Sequence, residues 1–302
     1  MTTQSLPRPR AASRRRPGKG PTVRRGSPAS RVLRALIILV LLCMVLYPLV
    51  WMVGNSLKSP TEILSNTGLL PKHWTWRNYH DGWFGLPSIT FGRFFLNSLI
   101  IACGVVLANM ASCVVTAYAF ARLRFPLRGF WFAVMIGTLL LPNHVMIIPQ
   151  YILFRHLDWI NTPLPLIVPK VLATEAFFVF LMVQFMRGIP RDLDEAARID
   201  GCSPYGVFRH VILPLVRPAL VSTAIFSFIW TWNDFFTQLI YLNDLPKKTV
   251  PVGLRMFMDA TGQTSTGPMF AMAVVSLLPV FFFFVAFQRM LVEGINTAGL
   301  KG

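Results

Sequence analysis

Three ionisable residues, Lys170, Glu175 and Asp234, interrupt long apolar stretches of this chain. A charged side chain near the centre of a membrane helix costs about 2.5–3.5 kcal/mol on insertion scales, so such groups mark functional positions. Trp230, Trp232, Asn233 and Gln238 surround Asp234. Carboxylates and amides hydrogen-bond hydroxyls, and an indole packs on the apolar face of a sugar ring. Glu175, Trp232, Asn233 and Asp234 are therefore candidates to line a pathway for a hydroxyl-rich solute. The competing reading makes Asn233 and Asp234 partners for neighbouring backbone at a kink. Lys170 lies nearer the start of its run and can snorkel to an interface. It is five positions from Glu175, so on one continuous helix the two do not share a face.

The second candidate is the polar stretch from Asp192 to Pro218, set between two apolar runs. Pro190 can open a short helix, and Asp192, Asp194 and Glu195 occupy its first turn, where the helix dipole favours acids. Ala196 and Ala197 are small enough to admit another surface. Gly201 suits the left-handed residue that ends the helix, and Ser203-Pro204 reads as the cap and first turn of a second. Val207, Phe208, Val211, Ile212 and Leu215 share its apolar face, and Pro214 kinks or stops it. Catalytic patterns are absent. There is no GxxxxGK[ST] phosphate loop, HExxH pair or Ser-His-Asp set, and His73, His80, His144, His156 and His210 are scattered. Cys43, Cys103, Cys113 and Cys202 form no CxxC pair, so no metal or disulfide is expected.

The elements that carry these groups follow from hydropathy. Of 302 residues, 54% are hydrophobic and 14% charged, against about 25% charged in a soluble domain. Lipid is the expected solvent. The fold class is all-α and polytopic, with six spans near Ala35–Val53, Asn97–Phe120, Gly129–Ile148, Leu164–Phe185, Ala219–Tyr241 and Met269–Phe287. Pro142, Pro149, Pro163, Pro165 and Pro169 break the third and fourth, which is tolerated where protein or a water-filled cavity satisfies the freed backbone. The net charge of +17 does not point to nucleic acid. Residues 1–34 hold ten Lys or Arg and no acid, and read as a disordered tail whose first role is to orient the spans. With the basic 121–128 and 186–218 loops also inside, both termini are cytoplasmic. Segment 54–96 is then external, with Trp74, Trp76 and Trp83 at the outer interface. Residues 35–302 form the membrane domain.

Glu195-Ala196-Ala197, three residues, Gly201, nine residues and Val211-Ile212-Leu213-Pro214 resemble the EAA loop of ABC importer permeases, with Val211 where Ile is usual. Further likeness to the sugar-importing branch, and most to its six-span maltose-type permeases, runs from about residue 45. It includes Ser56-Leu57-Lys58, Asn97-Ser98-Leu99, Ala117-Tyr118-Ala119-Phe120-Ala121-Arg122, Trp232-Asn233-Asp234, Val252-Gly253-Leu254-Arg255 and Val292-Glu293-Gly294. The basic tail has no counterpart there. The resemblance implies type I ABC importer architecture in the cell membrane. Glu195, Ala196, Ala197, Asp200, Gly201, Leu213 and Pro214 would form the coupling helix that docks on a separate ATPase. It implies two ATPase subunits holding ATP and Mg, a second related permease in a heterodimer, and an extracytoplasmic sugar-binding protein. The chain itself would bind no cofactor and would not be an enzyme. A short contact from Gly299–Gly302 to the ATPase pair is implied as well. Other readings are an importer for a polyol or glycerol phosphate and, more distantly, a proton-coupled secondary transporter using Glu175 and Asp234.

Overall fold

The structure, a computed structural model, describes residues 28–86, 88–259 and 265–299. Among the described residues every regular element is helical. The chain divides into two units, Met1–Leu49 and Val50–Gly302. The described part of the first is the opening of α1 (Pro28–Ser56), whose apolar side chains are exposed. The expected tail boundary at residue 34 falls inside this helix. Pro28 suits its first position, and no glycine or proline follows until Pro48. Residues 1–27 of the basic tail lie outside the described residues.

The second unit continues with α2 (Pro60–Ser65), α3 (Arg77–Phe84), α4 (Phe91–Arg122), α5 (Arg128–Thr138), α6 (Asn143–His156), α7 (Leu164–Val171) and α8 (Ala176–Arg187). Then come α9 (Asp192–Ile199), α10 (Pro204–Val207), a π-helical turn at Phe208–Ile212, α11 (Leu213–Leu215), α12 (Arg217–Asn233) and α13 (Phe236–Tyr241). A 3-10 turn at Leu245–Lys247 precedes α14 (Val250–Asp259) and α15 (Thr266–Gly299). Four stretches are long and apolar enough to cross a membrane: Ala29–Ser56, Phe91–Arg122, Leu164–Arg187 and Thr266–Arg289. A fifth is added if Pro204–Leu215 and Arg217–Asn233, bent by 70°, count as one. The expected third span is divided instead between α5 and α6. The 11 residues of α5 rise only about 16 Å, half a bilayer core. The expected fifth divides at Asp234, whose Oδ1 accepts the Thr237 N–H at 3.1 Å and starts a new helix.

Helix α4 organises this unit, because its residues face three cores. Ala102 and Val106 pack with Phe91, Phe94, Phe228 and Trp232. Ile101 and Val105, one residue around the helix, pack instead with Ile147, Phe154, Leu166 and Tyr241. Towards its C-terminus Val114, Ala117 and Ala121 meet Val179, Met182 and Val183 of α8 and Ala219 of α12. Spacings of three or four residues put each set on one face. Polar motif residues lock the other end: Asn97 Nδ2 donates to the carbonyls of Pro246 and Lys248 at 2.9 and 2.8 Å. Gly253 sits where a Cβ would lie 2.3 Å from the buried Phe94 ring, so only glycine lets α14 approach.

The segment between α1 and α4 is folded around Lys58. Its ammonium is fully buried and donates to Asn55 Oδ1 at 3.0 Å and to the Asn66 and Gly68 carbonyls. Asn78 Nδ2 closes the cluster on the carbonyls of Ser56 and Lys58 at 2.9 and 2.7 Å. Glu62 accepts the Lys72 N–H at 2.6 Å, and that bond, with those from Asn66 and His73, holds its carboxyl below the usual range. Of the three tryptophans in this segment, Trp74 and Trp76 are exposed. Trp83 is not: it is half-buried against Phe91 and Phe95.

Candidate functional site

The polar stretch folds as two short helical arms. Asp192, Asp194 and Glu195 occupy the first turn of α9. Gly201 ends it at φ +85°, and Ser203 Oγ accepts the Gly206 N–H at 3.2 Å to start α10. Pro214 then lacks the N–H that an α-helix would use, and the preceding turn widens so that the Leu213 N–H reaches the Phe208 carbonyl.

Burial sorts the side chains of this hairpin. Glu195, Ala196, Arg198, Ile199, Asp200 and Gly201 are exposed, Ile199 at 86%. Ala197 is buried instead, packed in the core with Val207, Ile212 and Met186. It therefore spaces the arm from the helices beneath it and is not part of an outward face. Leu213 packs half-buried against the same core, while Pro214 is exposed. Asp194 is more than a helix-dipole acid. It is buried and paired with Arg122 at 3.2 Å, with the two side chains 9% and 3% exposed.

The second set of groups lines a cavity of about 680 Å³ between α4, α6, α7, α8, α12 and α13. Glu175, Asn233 and Asp234 line it, from two separate helix breaks. Trp232 does not. It is 3% exposed, its Nε1–H donates to the Ser276 carbonyl at 3.0 Å, and it packs against Phe95 and Phe228. Trp230 takes the place expected for it, lining the cavity at 48% exposed with Phe177 and Phe178 behind it.

Lys170 and Glu175 form an ion pair that an unbroken helix would forbid. The chain leaves the helix between α7 and α8, with Ala173 in the left-handed region at φ +55°, and folds Glu175 back beside Lys170. Ser112 Oγ, on α4, donates to the Lys170 carbonyl at 2.7 Å, and Thr174 Oγ1 to the Pro169 carbonyl at 2.9 Å. Hydroxyls thus satisfy carbonyls that the break frees. Asn233 Nδ2 donates to the Ile229 carbonyl of its own helix at 2.8 Å. Across the cavity Asn109 Nδ2 donates to Ser227 Oγ at 2.6 Å, and Asn109 Oδ1 has no partner. Sequence reasoning missed Asn109, an amide inside an apolar span. A cavity with carboxylates, an ammonium, amides, hydroxyls and one indole face can hold a polar solute with a partly apolar surface. Among the described residues no three His, Cys, Asp or Glu side chains gather in a metal-ligand group.

Helices long and apolar enough to cross a membrane thus accompany a polar cavity and an exposed hairpin. The chain belongs to the binding-protein-dependent transport system inner membrane component family, which matches residues 104–297. It is 32% identical over 257 residues to a probable ABC transporter permease, YurM, of Bacillus subtilis, covering 85% of this chain and 84% of that one. It is 32% identical to the diacetylchitobiose uptake permease NgcG of Streptomyces coelicolor, over 83% of both chains. It is 30% identical to the sn-glycerol-3-phosphate permease UgpE of Brucella abortus, over 89% and 96%. A solved bacterial ABC transporter that imports the acidic polysaccharide alginate shares the fold, with TM-score 0.75 and 21% identity over 87% of this chain and 98% of that one. The closing residues 300–302 lie outside the described residues, so the expected tail contact has no structural account.

Proposed function

We propose that this chain is one membrane half of an ATP-driven importer for a neutral carbohydrate. Family membership supports the importer. The observation that carries the carbohydrate is the exposed Trp230 face set in one cavity with Glu175, Asn233 and Asp234. Relatives that carry diacetylchitobiose and related sugars agree with it. The divided 129–148 and 219–241 stretches complete six spans, with both termini cytoplasmic. A second, related permease closes the open side of the cavity, and an external binding protein delivers the sugar. ATP and Mg sit on two partner ATPase subunits. The exposed rim of the hairpin, Glu195, Ala196, Ile199, Asp200 and Gly201, docks there, while Ala197 and Leu213 hold the rim to the helices. Rocking of the two halves then exposes the cavity to each side in turn.

The test is purification of the tagged chain from its native membrane, with mass spectrometry of what accompanies it. An ATPase and a second permease are expected with the intact chain. Reversing two exposed charges, Glu195→Arg with Asp200→Arg, leaves the anchoring residues untouched and should lose the ATPase alone. A chain that purifies by itself and still transports would overturn the importer reading.

A further inference from the structure

The hairpin is covalently continuous with α8 on one side and, through its second arm, with α12 on the other. It has no such link to α4, which nevertheless brings Val105 and Asn109 to the cavity. What joins α4 to the hairpin is side-chain chemistry at its last turn. Arg122 gives one guanidinium nitrogen to Asp194 at 3.2 Å and another to the carbonyls of Met186 and Ile189 at 2.8 and 2.9 Å. One turn earlier the Tyr118 hydroxyl donates to the Pro204 carbonyl at 2.8 Å, and its ring packs on Phe208 at 4.9 Å. The final turn of α4 therefore grips both arms and the end of α8.

An ion pair in this place is a costly way to gain stability, since well-packed apolar residues of similar volume are often as stable or more so. Its geometry is imperfect too: Arg122 Nε and Asp194 Oδ1 are buried without partners. What it supplies is directional register. Apolar faces such as Val114 and Ala117 on Val179 and Val183 can slide by small steps, as packed helices do in shear motions. A buried charge cannot leave its counter-charge so cheaply. We infer that Arg122 and Asp194 are positioning residues that transmit movement of the hairpin to α4, and through α4 to the Asn109 side of the cavity. From Arg122 to Asn109 is about 20 Å of continuous helix at the standard rise. The inference rests on the proposed docking of the hairpin on an ATPase.

The test uses the complex purified through this chain, with the four native cysteines replaced and Val105→Cys added as a reporter on the cavity face of α4. Its rate of maleimide labelling is compared before and after ATP and vanadate. In the reference chain trapping should change that rate about tenfold, the signature of a shifted two-state equilibrium. With Asp194→Asn the ATPase should still co-purify and hydrolyse ATP, and the labelling change should vanish. Exchanging the charges, Arg122→Asp with Asp194→Arg, should restore part of it. An Asp194→Asn chain that labels like the reference would overturn the inference. So would loss of the ATPase from that variant, because the pair would then only build the docking surface. If the reference chain itself brings no ATPase, the docking proposal fails first and this inference falls with it.

Discussion

Removing the ammonium of Lys170 should destabilise the chain through Glu175, and removing both charges should not. In the folded protein the two side chains are 29% and 28% exposed, between the surface and the deep interior. Exposed pairs couple by up to about 1 kcal/mol, and breaking fully buried ones costs about 3–5 kcal/mol. After solvent screening is allowed for, the coupling here is about 1–2 kcal/mol. For a chain of 302 residues, with about 2.1 cal/mol/K of unfolding entropy per residue, each kcal/mol moves the melting temperature by about 1.6 °C. Lys170→Met and Glu175→Gln alone should therefore each melt about 2–3 °C lower, and the double variant should recover most of that. The assay is thermal unfolding of the purified chain in one detergent at one heating rate, followed by intrinsic fluorescence. If the double variant falls by the sum of the two single losses, the pair is not coupled, and the account of the α7–α8 break as a site closed by charge is wrong.

Trp230→Ala should lower uptake at limiting sugar and barely move the melting temperature, since the indole already lies half in the cavity. Trp232→Phe should do the reverse, losing about 1 kcal/mol with its bond to Ser276, so parallel uptake and melting curves on the two variants separate the roles. Gly201→Asp places a side chain in open space but forces a left-handed backbone, at about 1–2 kcal/mol. That variant should accumulate normally in membranes and bind sugar, yet lose substrate-stimulated ATP hydrolysis in the assembled complex. Glu62 has a folded pKa below its ordinary 4.5, so its stabilising effect is present above that pH and is lost as the pH falls through the folded value. Melting between pH 6 and pH 3 should therefore drop less steeply in Glu62→Gln than in the parent chain.

The hairpin was legible in the sequence because its signals are local. An acidic first turn, a glycine at the bend and a serine before proline each act within a few residues. The role of Asp194 was not, since its partner Arg122 lies 72 positions earlier and only packing brings them together. The tryptophans fail for a related reason. Residues 230 and 232 are about 200° apart around a helix, so one faces the cavity and the other the core. Composition does not say which. The Lys170–Glu175 pair was excluded by the rules of a continuous helix, and the chain departs from that helix at Ala173. Prolines announced broken helices in the third and fourth spans. They did not show that Asp234 would divide the fifth, because there the break comes from a side chain accepting a backbone N–H.

At the α7–α8 break the carbonyls of Pro169, Lys170, Thr174 and Glu175 already accept hydrogen bonds from within the chain. In the proposed pathway a solute there would meet the variable parts of residues and not those main-chain groups. Selectivity in such a conduit can drift by exchanging a handful of side chains, with the scaffold left intact. One architecture can then be inherited by importers of unlike cargo, each a re-lining of the same passage.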